Sequence, residues 1–239
     1  MNKPIVIAGP CQHESYEHSY KIAKHCQNIC NLYDIDYYFK ASFDKANRTY
    51  DHSPRGLGLN ACFSDFDKLR QEFKITTDFH ETHQIDKLPV DVYQIPAFLS
   101  KQTDLLQKAA SKDKIINIKK GQFMSPEGVK GIISKVGDQD VWITERGSSF
   151  GYDKMVIDFE GIQYMKDNYN VPIFLDITHS ISDRKYAMAM AGLAGNMGLN
   201  LFVEVHDNPD TAPSDGKKMV KSYMFEHIIK HYYKSRIKL

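Results

Sequence analysis

The sequence predicts an α/β fold, a single-domain (β/α)8 barrel, and three observations carry that expectation. Eight short apolar runs recur along the chain, each stopping near a glycine, a charge or a histidine. Longer stretches of helical character lie between them. The length of 239 residues, 42% hydrophobic and 26% charged, suits one such barrel and supplies a full core without cross-links.

Taken in order, the runs fall at 5–8, 37–39, 75–77, 92–95, 115–118, 141–144, 173–175 and 201–203. Each is short and several are rich in Ile, Val or aromatics. Most lack strict alternation, as strands buried on both faces do. Residues 15–32, 62–73 and 103–112 are among the intervening helical stretches. Strand then helix, repeated eight times, gives a closed parallel barrel of the TIM type. A doubly wound open sheet is the rival arrangement, but no GxGxxG follows the first run. Residues 217–239 read as one last helix, completing a single domain over 1–239. On it His227 and His231 sit four apart, yet no acidic residue completes an HExxH and the surroundings are rich in lysine. A solvated face is the better reading there. Cys26 and Cys30, with the same spacing, read as small apolar residues on a packed helix face.

Charge and composition exclude several classes. Lys+Arg is 31 against Asp+Glu 30, a net charge of +1, so nothing in the overall balance calls for a nucleic-acid or membrane-surface partner. No run approaches the ~18 apolar residues of a membrane span. Cys11, Cys26, Cys30 and Cys62 form no CxxC pair, which fits a reducing, cytoplasmic setting.

Barrel enzymes keep their chemistry at the C-terminal ends of the strands. Reading only those positions gives Cys11 after the first run, Lys40 after the second with Lys45, Asn47 and Arg48 in its loop, and Asp78 and His80 after the third. Gln94 lies in the fourth; Lys119, Lys120 and Gln122 follow the fifth; Glu145 and Arg146 follow the sixth. Asp176 and His179 follow the seventh, and Glu204 and His206 the eighth, with Asp215 further on. Two chemical subsets emerge. Lys40, Lys45, Arg48, Lys119 and Arg146 suit phosphate or carboxylate, Arg through bidentate hydrogen bonds and Lys as a compact charge. Cys11, His179, Glu204 and Asp215 form a mixed S/N/O set suited to a divalent transition metal. Ordinary surface lysines and scattered polar loop residues are the alternatives, since the metal set offers no spacing test.

Longer stretches carry a resemblance. IAGPC at 7–11, FKASFDKANR at 39–48, HSPRGLGL at 52–59, TTDFHE at 76–81 and QIPAFLSKQTDLL at 94–106 are followed by INIKKGQFMSP at 116–126, TERGSSFGYD at 144–153 and DITHS at 176–180. FVEVH at 202–206 and SDG at 214–216 continue the series more weakly. Together they resemble the 3-deoxy-D-manno-octulosonate 8-phosphate synthases of the metal-dependent class, within the class I 3-deoxy-D-arabino-heptulosonate 7-phosphate synthase superfamily. That resemblance implies a TIM-barrel transferase of lipopolysaccharide biosynthesis, usually a homotetramer, joining phosphoenolpyruvate to D-arabinose 5-phosphate with release of phosphate. The DKANR segment, with Asn47 before Arg48, looks like the octulosonate branch, where the relative that uses erythrose 4-phosphate has Lys-Pro-Arg.

The same resemblance assigns roles. Gln94, Lys119 and Arg146 would hold phosphoenolpyruvate, and Lys45 would lie between the two substrates and serve protonation. Asn47, Arg48 and Thr49 would hold the aldose phosphate, with Arg48 near a subunit boundary. Lys40, Asp78, His80 and Gln122 complete the substrate-binding set. Lys45, Asn47, His179 and Asp215 are the residues expected nearest the chemistry. Cys11, where metal-independent members have Asn, joins His179, Glu204 and Asp215 as ligands of a divalent metal: Zn, Fe, Mn or Co.

Three features depart from the family pattern. The loop after His179 is short, residues 180–185, where family members carry a long glycine-rich lid. Tyr50-Asp51 replaces a Ser and an apolar residue, and Pro54 an aromatic. Residues 205–209, Val-His-Asp-Asn-Pro, are a looser version of the family's Thr-His-Pro-acid-Pro. These leave two alternatives open: the same condensation with another aldose phosphate, such as erythrose 4-phosphate, or a barrel that binds these ligands without turning them over.

Overall fold

Each of the eight apolar runs forms a strand, and seven of them run on by at least one residue beyond the apolar stretch. In the computed structural model, which describes residues 3–152 and 154–236, these are β1 (Ile5–Gly9), β2 (Asp36–Lys40), β3 (Ile75–Asp78), β4 (Val92–Ile95), β5 (Ile115–Lys119) and β6 (Val141–Glu145). A small antiparallel hairpin, β7 (Ser148–Ser149) and β8 (Met155–Val156), precedes β9 (Ile173–Asp176) and β10 (Asn200–His206). All eight barrel strands pair in parallel in chain order, and β10 closes on β1: Ile7 lies opposite Tyr38 on one side and Phe202 on the other. A short strand, β11 (Val220–Lys221), pairs with the end of β10.

The helices are α1 (Tyr16–Leu32), α2 (Gly58–Leu69), α3 (Thr103–Ala110), α4 (Val129–Val136), α5 (Phe159–Asn168), α6 (Ala187–Asn196) and α7 (Ser222–Arg236). In α1 the buried residues Ile22, Cys26, Ile29 and Cys30 recur at helical spacing. The hydroxyl of Ser15 caps it by accepting from the His18 N–H. Cys26 and Cys30 are buried as the spacing predicts, and His227 and His231 face solvent. All four cysteines are free.

One expectation fails. Between β3 and β4 there is no α-helix, only a single turn of 3₁₀ helix at Thr82–Gln84. Asp86 adopts a left-handed conformation, φ 73°, and Pro89 has no N–H to donate, so no helix propagates through 79–91. The barrel therefore carries seven α-helices among the described residues. No helix there is long and apolar enough to cross a membrane.

The side-chain period of two along a strand explains how the site is placed. Ile7, Tyr38, Val92, Trp142, Phe174 and Phe202 fill the lower barrel interior. Their neighbours Val6, Ala8, Tyr37, Phe39, Leu175 and Val203 belong to the larger core that packs against the helices. Two residues beyond Tyr38, Val92, Phe174 and Phe202, on the same inward face, stand Lys40, Gln94, Asp176 and Glu204, all buried. An apolar floor thus passes directly into a polar upper layer.

Candidate active site

That polar layer floors a cavity of ≈ 440 Å³ at the C-terminal end of the strands. Lys40, Asp78, Gln94, Lys119 and Arg146 reach it from strands or strand ends. Lys45, Asn47, Arg48 and Thr49 reach it from the loop after β2, with His179 and Asp215 opposite. Sequence reasoning picked out all of these. Tyr50, noted in the sequence as a departure from the family pattern, also lines the wall. Ser53 and Phe98 line it too and were not foreseen, because nothing in their local pattern separates them from ordinary loop residues.

Several buried charges are already paired. Lys40 Nζ lies 3.3 Å from Glu204 Oε1 and donates to the Cys11 carbonyl at 3.2 Å. Lys119 Nζ donates to Asp176 Oδ2 at 2.7 Å and sits 3.7 Å from the centroid of the Phe202 ring. Lys120 lies 3.2 Å from Glu145 Oε2. Among the described residues, no carboxylate lies within ion-pair distance, 4.0 Å, of Lys45, Arg48 or Arg146. These three are the positive charges left to meet a ligand, and an anion is what they fit.

The residues that carry the loop after β2 are held by an ion pair that has no sequence signature. Arg55 grips Asp44 with both ends of its guanidinium, Nε at 2.9 Å and a terminal nitrogen at 2.6 Å. The Lys45 N–H donates to the Arg55 carbonyl at 2.6 Å. Gly56 next to it has φ 124° and lies against the Phe43 carbonyl, where a side chain has no room.

The four proposed metal ligands converge. Cys11 Sγ donates to Asp215 Oδ2 at 3.1 Å, and one donor atom each from Cys11, Glu204 and Asp215 lies within 4.8 Å of the others. His179 Nε2 stands 3.7 Å from Glu204 Oε1 and 4.0 Å from Asp215 Oδ2. Its other ring nitrogen lies 2.8 Å from Asp176 Oδ2, an arrangement that fixes a ligating imidazole. Glu204 Oε2 is buried with no hydrogen-bond partner. An orphaned carboxylate oxygen beside a thiol, an imidazole and a second carboxylate fits a divalent transition metal.

Electrostatics agree with that reading. Burial pushes the Cys11 thiol up to about 12, with Glu204 adding to the rise, so the sulfur keeps its proton until a cation displaces it. Burial opposes ionisation of Asp215, but His179, the Cys11 thiol and the nearby lysines hold it down at about 2. Asp78 is likewise held below the usual carboxylate range by Lys40 and Lys45 in spite of its burial. Burial lowers Lys119 against the pull of Asp176. Burial also works against the charge on Lys45, and the surrounding Cys11, Asp78 and Glu204 overrule it.

Two of the candidates for substrate binding, His80 and Gln122, do not line the cavity. His80 is buried, with Nε2 3.5 Å from Asp78 Oδ2 and no hydrogen bond to either ring nitrogen. Gln122 is partly buried on the turn after β5, its side-chain oxygen unpartnered. Asp176 is the main polar residue whose importance the sequence understates: it anchors Lys119 and His179 together.

Comparison with known proteins matches this architecture to one group. A relative from Rhodopseudomonas palustris named 2-dehydro-3-deoxyphosphooctonate aldolase is 41% identical, over 94% of this chain and 85% of its own. Proteins of the same name from Rickettsia canadensis and Bartonella henselae are 40% and 39% identical, covering 94% and 90% of this chain and 89% and 84% of theirs. The DAHP synthetase I family matches residues 1–237. With a parallel barrel, a cationic cavity at its C-terminal face and those similarities together, the chain belongs to the DAHP synthetase I family.

Proposed function

We propose that this chain condenses phosphoenolpyruvate with D-arabinose 5-phosphate and water, giving 3-deoxy-D-manno-octulosonate 8-phosphate and inorganic phosphate. The observation that carries this reading is the set of unpaired cations, Lys45, Arg48 and Arg146, arranged around one cavity beside the Cys11, His179, Glu204 and Asp215 cluster. The relatives' shared name, 2-dehydro-3-deoxyphosphooctonate aldolase, supports the choice of product.

Arg146, Lys119 and Gln94 hold the phosphate and carboxylate of phosphoenolpyruvate. Asn47, Arg48 and Thr49 hold the aldose phosphate at the outer wall. Lys45, placed between them, neutralises both and delivers a proton to the oxygen that the aldehyde becomes. The alkene carbon of phosphoenolpyruvate attacks the aldehyde carbon, water adds to the adjacent carbon, and phosphate leaves. Fixed cations reduce the repulsion between two multiply charged anions and hold them in reacting geometry. A divalent ion, Zn, Fe, Mn or Co, held by Cys11, His179, Glu204 and Asp215 supplies Lewis-acid polarisation and a template. Asp78 supplies a nearby negative charge that favours the charged forms of Lys45 and its neighbours, and His80 acts through Asp78. Gln122 supports the substrate-binding turn after β5.

One synthase domain then carries the whole site, because every barrel strand contributes to it or to its floor. We place the enzyme in the cytoplasm, consistent with its four free cysteines. A homotetramer is consistent with exposed Phe98, Phe123 and Phe150 on loops that follow barrel strands. Tyr50 in the cavity wall favours a second reading, in which another aldose phosphate is the acceptor.

The test is phosphate release from phosphoenolpyruvate plus arabinose 5-phosphate, with and without a chelator, beside Cys11→Asn. Release that stops with chelator in the wild type is the expected result. Faster release with erythrose 4-phosphate or a six-carbon aldose phosphate would move the assignment to that acceptor. Ligand binding without release from any aldose phosphate, metal supplied, would leave a binding barrel.

A further inference from the structure

A second cluster of metal-ligating side chains lies at the seam where the barrel closes. Glu14 precedes α1, His18 is in its first turn, and His206 ends β10. One donor atom from each lies within 4.8 Å of those of the other two. His206 Nε2 is 2.8 Å from Glu14 Oε1, and His18 Nδ1 is 4.0 Å from the same oxygen. A tetrahedral ion with bonds of about 2.0–2.1 Å sets its donors roughly 3.3 Å apart, a spacing these two distances straddle. The rings of His18 and His206 stand 4.5 Å apart between centroids.

Asp207 supplies what such a site needs behind it. Its Oδ1 lies 3.1 Å from His18 Nε2 and 3.3 Å from His206 Nδ1, and its Oδ2 takes Lys21 Nζ at 2.7 Å. The Asn208 N–H has two acceptors in reach, His206 Nδ1 at 2.9 Å and Asp207 Oδ1 at 3.0 Å. When it donates to the carboxylate, both histidines keep a proton on the nitrogen facing Asp207. A lone pair of each faces Glu14 once an ion displaces the proton that His206 Nε2 shares with Glu14 Oε1 in their hydrogen bond. That is the carboxylate–histidine–metal arrangement on two ligands at once. His18 Nδ1 is buried and has no hydrogen-bond partner, so one of the three donors is already without a partner in the protein.

We propose that Glu14, His18 and His206 form a second divalent-metal site, separate from the Cys11 cluster, oriented by Asp207. Two imidazoles and one carboxylate select Zn²⁺, Co²⁺, Ni²⁺ or Cu²⁺ over Mg²⁺ or Ca²⁺. The site ties the corner between β1 and α1 to the end of β10, so the ion acts as a clip across the closure of the barrel. It takes no part in the condensation and does not depend on the reading of the cavity.

The experiment strips the full chain with a chelator, dialyses it against Zn²⁺ or Co²⁺ and measures bound metal per chain by mass spectrometry. The wild type is compared with His18→Ala and Glu14→Gln, the latter changing a residue whose side chain is already 36% exposed. Each variant is expected to hold one ion per chain fewer than the wild type, to show a smaller metal-induced rise in melting temperature, and to release phosphate at an unchanged rate. Asp207→Asn is expected to weaken the same ion by about 10–100-fold. Equal metal content in the wild type and Glu14→Gln overturns the site. If His18→Ala does not fold, Glu14→Gln alone decides. A loss of phosphate release in step with the lost ion would assign that ion to the cavity and overturn the separation.

Discussion

Asp176 shows how much one buried carboxylate organises. Its Oδ2 meets Lys119 Nζ at 2.7 Å and His179 Nδ1 at 2.8 Å, while Oδ1 accepts the N–H groups of Thr178 and His179 at 2.9 and 2.8 Å. One side chain thus sets a substrate-facing cation, a metal-facing imidazole and the turn that links them. Asp176→Asn keeps the shape but brings an amide N–H up against His179 or Lys119, both of which donate to the carboxylate. Phosphate release is expected to fall by about 10–100-fold. Leaving Lys119 without its partner costs stability on the order of 3 kcal/mol. Far-UV circular dichroism should be unchanged, and retained metal content should fall together with rate. An Asn variant at full rate would remove Asp176 from the site. This residue also marks the limit of what the sequence tells. Lys40, Lys119, Arg146 and Glu204 are legible because a charge at the end of a buried strand has few places to point. The pairings among them are set by barrel geometry: Asp176 and Lys119 are 57 positions apart, and no local pattern carries that information. The same holds for Arg55 and Asp44, whose grip on the loop after β2 appears only when the chain is folded.

The connection between β3 and β4 replaces a helix with a pinned loop. Buried runs made the strands legible, and their ends were read short because the last residue of several is a charged group buried inside the barrel. The missing helix was not legible, since a polar stretch such as 79–91 is compatible with either outcome until Asp86 is seen at φ 73°. Asp86 holds that loop through the Tyr93 hydroxyl and Lys112. Its partial burial raises its carboxyl pKa, but these two partners outweigh that and hold it below the usual range. The folded state therefore favours the ionised form. Its contribution is complete above the ordinary carboxylate value of about 3.9 and disappears as pH falls through the lower folded value. Asp86→Asn keeps a residue tolerant of positive φ and removes only the charge. Because the side chain is 38% exposed, solvent screening limits the loss to about 0.5 kcal/mol at pH 7. Denaturant titrations of the two proteins should differ at pH 7 and converge as pH falls through the lowered carboxyl value. A gap that persists at acid pH would assign the effect to shape instead of charge.

At the scale of the whole molecule, six of the eight barrel strands build one apolar plug beneath the site. Trp142, the single tryptophan of the chain, stands 5.2 Å from the Phe174 ring and 5.0 Å from Tyr38 between centroids. These three, with Ile7, Val92 and Phe202, draw on β1, β2, β4, β6, β9 and β10. The plug therefore joins both halves of the chain and lies directly under the cations of the cavity. Phe174 is fully buried, and its neighbours are held in a closed ring of strands that cannot collapse inward. Phe174→Ala is expected to cost about 3–5 kcal/mol and to lower the denaturant midpoint with little change in slope. Asp176 lies two residues further on the same face of β9, so the cavity left at position 174 also loosens the anchor of Lys119 and His179. The variant should therefore lose rate under conditions where it is still folded. Trp142 fluorescence reports the plug, and far-UV circular dichroism reports the helices around it. If the barrel unfolds as one cooperative unit, the two probes give coincident transitions in the wild type and in Phe174→Ala. A fluorescence transition that precedes the loss of helix would mean that the plug melts inside an intact shell, and the single-domain reading of the chain would then fail.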